Sequence, residues 1–274
     1  MKVRVFIVVF FISGLSFAQV STATITSTNN QAIDVSPEMI GGKEEWKRIF
    51  HDHLFYPQPD LVKKTEGSVQ LIFTVGEDGK VVNLKVSSIL DSDMEKEAVR
   101  LFKMIEWMPA KKDGKALAQE YSMEINFSPS KYKRWVKERK YDKPAFNEKE
   151  VDTSFVVYES AEKAPAFYDT EKTFSEFIFS NIDYPEMAKK QGLEGYVVMS
   201  FIIETDGHVS NIRIKSGVGG GCNEEAIRVI GLTTWTPAIK NGKYVRFRMY
   251  YTMSFSLKNS FKDNSSGSQR SWGQ

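Results

Sequence analysis

Few side chains in this 274-residue chain are of the types that carry out chemistry: three histidines and a single cysteine. His51 and His53 are imidazoles, which are common metal ligands. Two residues apart on a helix, however, they point to different sides. The third histidine, His208, falls at a turn between two strands, so the spacing does not gather a ligand set. Cys222 stands at the start of a predicted helix, where a thiolate is favoured. No histidine is placed in sequence to activate it, so a structural role is the favoured reading over a reactive thiol. Gly217 to Gly221 superficially resembles a phosphate cradle, but it lacks the Lys-Ser/Thr of a P-loop and the order of a dinucleotide fingerprint. A turn demanding unusual backbone angles explains it better. Glu225 and Arg228 lie one helical turn apart and are expected to pair or to cap the helix. Trp107 and Trp235, each followed by x-Pro-Ala, read as core anchors leading into a turn. No constellation here supports catalysis, a metal or a cofactor.

The elements that carry these residues occur twice. Tyr56-Pro57 matches Tyr184-Pro185, Glu66-Gly67 matches Glu194-Gly195, and Asp78-Gly79-x-Val81 matches Asp206-Gly207-x-Val209. Glu97-Ala98-x-Arg100 then matches Glu225-Ala226-x-Arg228, Trp107-x-Pro109-Ala110 matches Trp235-x-Pro237-Ala238, and Gly114-Lys115 matches Gly242-Lys243. Every pair is 128 residues apart, and laying 37–127 on 165–255 without a gap gives 22 identities in 91 positions. A chain of this length also suggests about two domains.

Each copy reads as helix–strand–strand–helix–strand. Trp46, Phe50 and Leu54, and then Phe174, Ile178 and Ile182, recur at helical spacing before the Tyr-Pro. Val69, Leu71, Phe73 and Val75 alternate with polar residues, as do Val197, Met199, Phe201 and Ile203 in part, which is the signature of a half-buried strand. Asp-Gly supplies the turn. Val81 to Val86 and Val209 to Ile214 return. Met94, Ala98, Leu101 and Ile105, and in the second copy Cys222, Ala226, Val229 and Ile230, give a helical face. Period two then resumes from Val245 to Leu257, and more weakly from Leu117 to Phe127. The expected fold class is α+β, in two tandem modules, each a small antiparallel sheet with helices on one face.

The remaining segments frame the modules. Lys2 and Arg4, the apolar run Val5 to Phe11 with Ile12 and Leu15, and Ser16-Phe17-Ala18 have the layout of a cleaved secretory signal over 1–18. The alternative is an anchor helix, but 14 residues fall short of the ~20 that span a bilayer. No cysteine stands at the cleavage site to accept a lipid. Residues 19–35 read as a linker, 36–128 as module 1, 129–163 as a polar, partly basic linker, 164–257 as module 2 and 258–274 as a disordered tail. Without Lys2 and Arg4, 35 basic residues face 35 acidic ones. That balance gives no reason to expect nucleic acid as a partner. One cysteine forms no intramolecular disulfide, so the cores must hold the fold.

Taken in order, Tyr184-Pro185, Glu194-Gly195-x-Val197, Asp206-Gly207-x-Val209, the run Gly217 to Gly221 before Cys222, Glu225-Ala226-x-Arg228, Trp235-x-Pro237-Ala238 and Gly242-Lys243 resemble the TonB C-terminal domain. That domain is the periplasmic module of energy transducers that drive outer-membrane receptors. The resemblance covers about two-thirds of the chain and makes Tyr184, Pro185, Gly195, Asp206, Gly207, Trp235 and Pro237 its motif residues. It implies a periplasmic protein-binding role, with no small-molecule substrate, in which an extended receptor segment adds a strand along the last strand of the sheet. Carried onto this chain, the pairing residues are Tyr244, Val245, Arg246, Phe247, Arg248, Met249, Tyr250, Tyr251 and Thr252, continuing to Phe255, and in module 1 about Ala116 to Phe127. The same strands read equally as ordinary sheet strands whose edge is protected.

Two departures from the family qualify the resemblance. Module 1 has Ile89-Leu90-Asp91-Ser92-Asp93-Met94 in place of the glycine run. Only residues 19–36, at most roughly 60 Å extended, precede the first module, with Pro37 at their far end and no proline-rich spacer. A soluble periplasmic binding protein is therefore expected. The alternatives are a scaffolding protein whose modules self-associate, as in a homodimer, and a membrane-anchored transducer if the signal is retained.

Overall fold

The computed structural model describes residues 25–27, 33–146 and 148–257. The expected signal over 1–18 and the tail over 258–274 lie outside them. Module 1 contains β1 (Ile25–Ser27), α1 (Gly42–His53), α2 (Gln58–Lys63), β2 (Gly67–Val75), β3 (Val81–Ser88), α3 (Ser92–Lys103) and β4 (Gln119–Phe127). Helix α4 (Pro129–Arg139) follows. Module 2 contains α5 (Phe174–Asn181), α6 (Glu186–Gln191), β5 (Gly195–Ile203), β6 (Val209–Ser216), α7 (Cys222–Gly231) and β7 (Phe247–Phe255). The sheets are antiparallel, in the orders β1-β4-β2-β3 and β6-β5-β7.

The repeat extends to backbone angles. Asn83 and Asn211 have φ of 55° and 51°, and each sits in the returning strand of its hairpin beside a register shift. Asparagine tolerates that left-handed region better than most residues. The apolar stripe of α3 buries Met94, Ala98 and Leu101 on the sheet, and α7 buries Cys222, Ala226, Val229 and Ile230. Phe73, Phe102 and Trp107 form one aromatic cluster, and Phe167, Phe174 and Trp235 form its counterpart in module 2. The glycine run of module 2 and its replacement in module 1 both start a helix. Gly219, Gly220 and Gly221 have φ of 82°, 60° and 93° before α7. In module 1 the Asp91 carboxylate accepts from the Asp93 and Met94 amides, both at 3.1 Å, as a side-chain cap.

The structure differs from the sequence reading in two places. The last strand of module 2 does not run unbroken from Val245. Lys243–Val245 pairs with Ala238–Lys240, and only from Phe247 does the chain join β5, so Arg246 sits at the change of partner and turns inward. The segment read as a linker also opens with α4. Its Tyr132, Trp135 and Val136, three and four residues apart, lie against the module 1 core.

The modules dock through buried charge. The hairpin of module 2 is laid on α1 and α3 of module 1. Arg246 grips Glu204 with two bonds, of 2.7 and 2.8 Å, and donates to the Lys103 carbonyl at 2.6 Å. His53, fully buried, meets Asp206 at 3.1 Å, and Arg100 meets the same carboxylate at 3.2 Å. Asn211 donates from its side chain to the Met104 carbonyl at 2.8 Å, and its amide donates to Glu45 at 3.0 Å. Burial alone would push the Asp206 carboxyl up, but His53, His208 and Arg100 hold it well below the usual range. Burial likewise opposes the charged form of His53, yet the charge and hydrogen bond of Asp206, with Glu204 and Asp52 nearby, raise it.

Removing one partner of a buried pair leaves an uncompensated charge. Glu204→Ala is therefore expected to cost about 3–5 kcal/mol in urea unfolding. A raised histidine contributes stability fully below its ordinary 6.5, and that contribution is lost as pH rises through its folded value. The depressed Asp206 contributes above its ordinary 3.8, losing that contribution on acidification through its folded value. The unfolding midpoint is therefore expected to fall between pH 6 and pH 9. A midpoint that stays flat over this span would count against the buried His53–Asp206 pair as a determinant of docking.

Candidate functional site

The candidate site of module 2 begins with the unpaired side of β7. Successive peptide groups of a strand point to opposite sides, and the β5 register runs from Gly195↔Phe255 to Ile203↔Phe247. The even-numbered residues face outward: Arg248 donates its amide to the Tyr158 carbonyl at 2.8 Å, and the Arg246 carbonyl accepts from the Tyr158 amide at 2.9 Å. Further back, Tyr244 exchanges backbone bonds with Glu150 and Asp152. The linker thus covers Tyr244, Val245, Arg246, Phe247 and Arg248 of the expected pairing stretch. Beyond Arg248, the outward amides and carbonyls of Tyr250, Thr252 and Ser254 have no backbone partner among the described residues. Met249, Tyr251 and Thr252 complete the expected set, and Tyr251 leans toward the helices.

Beside that edge lies a cavity of about 710 Å³ between α5 and β7, where Ile178, Phe179, Ile182, Tyr184, Tyr251, Met253 and Phe255 share the lining with Glu176, Asp183 and Lys189. Phe179 is 58% exposed and Tyr250 60% exposed. Alternate side chains of a strand added to β7 would enter this groove. The sequence reading did not single out Phe179 or the groove, because one exposed aromatic on a short helix carries no periodic signal.

Module 1 has the same site, and its own chain fills it. Ile25, Thr26 and Ser27 pair antiparallel with Met123, Ser122 and Tyr121 along the outer edge of β4. Helix α4 occupies the groove: Trp135 stands 6.3 Å from Phe50, the counterpart of Ile178, and Tyr132 stands 5.5 Å from Tyr56, the counterpart of Tyr184. Ser122, the counterpart of Tyr250, is only 8% exposed.

The motif residues hold this framework. The Tyr184 hydroxyl donates to the Leu193 carbonyl at 2.5 Å while its ring packs against Phe255 at 5.7 Å, and Tyr56 does the same with Thr65 and Phe127. Pro185 caps α6, and its ring lies against Gly221. Glu225 accepts from the Asp183 amide at 2.6 Å and from Arg228 at 2.7 Å, tying α7 to the end of α5. Glu97 and Arg100 tie α3 to the end of α1 in the same way. Gly195, at φ 151°, begins β5 against Val218. Asp-Gly and Trp-x-Pro belong together, since the Trp235 amide donates to the Gly207 carbonyl at 2.8 Å. A Cβ on Gly207 would meet the Trp235 carbonyl at 2.8 Å, and one on Gly79 would meet the Trp107 carbonyl at 2.5 Å. Pro237 then turns the chain from Trp235–Thr236 into Ala238–Lys240.

The residues first weighed for chemistry have structural surroundings. Cys222 is fully buried and its thiol is raised by burial. His51 contacts Asp52 and Glu138, while His53 points to Asp206. Among the described residues no group of three or more His, Cys, Asp or Glu side chains converges as a metal site.

The family model described as Gram-negative bacterial TonB protein C-terminal matches residues 52–129 and 180–257. The chain belongs to the TonB C-terminal family. Its two TonB modules are matched at the same 128-residue offset that the identities follow. This is a protein-interaction and energy-transducing domain rather than an enzyme family. Among solved structures, the Helicobacter pylori TonB C-terminal domain over its residues 179–285 is 27% identical, covering 30% of this chain and 76% of that one, with a TM-score of 0.25. A second structure of that domain, over its residues 194–285, is 32% identical, covering 30% and 88%, with a TM-score of 0.23. No curated protein matches the chain. No helix among the described residues is long and apolar enough to cross a membrane.

Gly207→Ala combines strained left-handed backbone with a clash against a carbonyl. It is expected to destabilise module 2 by about 1–3 kcal/mol in thermal unfolding, more than Gly242→Ala, whose Cβ would meet nothing. Equal losses at the two glycines would remove the Trp235 contact as the cause.

Proposed function

We propose that module 2 is the working acceptor of a periplasmic TonB-like protein, which binds extended segments of outer-membrane receptors by strand addition to β7 and supports TonB-dependent transport. The observation that carries this reading is the edge at Tyr250, Thr252 and Ser254, without a backbone partner among the described residues and running beside a largely apolar groove. Backbone pairing along such an edge supplies affinity, and a groove that takes alternate side chains supplies selectivity. Three outward residues accommodate a partner strand of about five residues. Family membership supports a protein partner in the envelope. The near-balanced charge of the chain without Lys2 and Arg4, 35 basic against 35 acidic, fits recognition by backbone pairing better than by bulk attraction.

A photo-reactive amino acid at Tyr250, compared with one at the exposed Val62 of α2, tests this in intact cells. Mass spectrometry of the adducts should recover extended segments of outer-membrane receptors from position 250 and not from position 62. Recovery of the same proteins from both positions, or only of further copies of this chain, would sink the proposal. A second test uses proline, which edge strands tolerate where the amide faces away from the sheet. Thr252→Pro removes one outward donor. It should leave the unfolding midpoint within about a degree or two while weakening binding of a recovered segment about tenfold or more.

A further inference from the structure

The two acceptor edges of this chain are in different states, and the difference comes from the chain itself. Residues 121–123 of module 1 are the 128-offset counterparts of 249–251 in module 2. In module 2 the outward groups from Tyr250 onward have no backbone partner among the described residues, whereas in module 1 Ile25–Ser27 lies along the same edge in register with Met123, Ser122 and Tyr121. The pairing is antiparallel, and Ile25 and Thr26 are β-branched residues suited to an extended strand. Among the described residues the pairing covers three residue pairs, and it lies outermost, on the far side of β4 from β2, so it can leave without disturbing the nine pairs that join β2 to β4.

We infer that Ile25–Ser27 is an internal ligand strand: it closes the acceptor edge of module 1 in cis, and an extended segment of the same kind can replace it. The inference rests on the strand-addition reading proposed for module 2, and it names the regulation of the equivalent site in module 1. The chain then presents one open and one closed edge, and displacement of the N-terminal segment doubles the number of edges on offer. The second edge is the weaker acceptor. Helix α4 fills the neighbouring groove with Tyr132 and Trp135, so a segment bound there pairs by backbone alone. Losing the burial of even one large apolar side chain weakens binding about tenfold or more.

The test uses the full chain, a Thr26→Pro variant, and a synthetic peptide of residues 19–28. Proline removes the amide that faces Ser122 and disfavours the strand. In Thr26→Pro the Ser122 amide should exchange with solvent about tenfold faster or more, while the amides of Val69 to Phe73 on the inner strand keep their protection. Added peptide should restore protection at Ser122 in the variant. In the unmodified chain it should first protect Tyr250 to Ser254 and, only at higher concentration, speed exchange at the Thr26 amide as the segment is displaced while Ser122 stays protected. Unchanged exchange at Ser122 in the variant overturns the inference, because the segment then does not hold the edge. Faster exchange that peptide fails to reverse also overturns it, because the exposed edge is then no acceptor. Failure of the peptide and of receptor segments at Tyr250 to Ser254, with Ser122 behaving as expected, leaves this inference standing and sinks the reading of module 2 instead.

Discussion

A three-stranded sheet has two edges, and every edge presents a row of peptide groups that must find partners, water or a covering element. Two such sheets give this chain four edges to manage, and most of the architecture follows from how it does so. The outer strand of the second sheet, β6, is taken up by the docking of the modules: Glu45 accepts the Asn211 amide and Arg48 reaches the Val209 carbonyl. The outer strand of the first, β3, is bulged at the left-handed Asn83 and carries Lys85, with Lys80 just before it, devices that discourage further pairing. The two last strands are closed by added chain, β4 by Ile25–Ser27 and the near half of β7 by Tyr158. Among the described residues, the stretch of the last strands left without a backbone partner is Tyr250 to Ser254.

The polar network between the modules makes that allocation rigid. A hydrophobic contact would tolerate sliding, whereas Arg246 on Glu204 and His53 on Asp206 fix register as well as proximity, since each charge is buried and satisfied in one arrangement only. The network also explains why Asp206 and Gly207 sit in a motif that looks local. The aspartate caps its own turn through the His208 amide at 2.9 Å, and in this tandem it also meets Arg100, itself a motif residue of the other copy. Asp78, its counterpart, has no second module to meet and instead pairs with its neighbour Lys80 at 2.7 Å.

Much of this was legible in the sequence, because the duplication doubles every signal. Identities at one offset located the turns, the Tyr-Pro clamps and the tryptophan anchors, and alternation located the strands. Three features were not legible, each for a physical reason. The break at Arg246 recurs at Ala118 in module 1, so it belongs to the change of pairing partner between the short hairpin and the main sheet, which no local pattern reports. Helix α4 was hidden by its charge, since counting basic residues from Lys131 to Lys143 conceals the stripe of Tyr132, Trp135 and Val136. The groove arises where α5 and β7 diverge, and an empty space has no residues of its own to read.

The place of β1 in the chain has a consequence in time. Ser27 and Tyr121 are separated by about ninety residues, a loop whose closure costs only modestly more entropy than a short one but forms late. During synthesis the N-terminal strand emerges long before the edge it covers exists, and it must wait until β4 has zipped onto β2. Module 1 therefore passes through an interval in which its sheet is complete and its edge still bare, so the newly made protein meets other strand-forming chains before it has closed on itself.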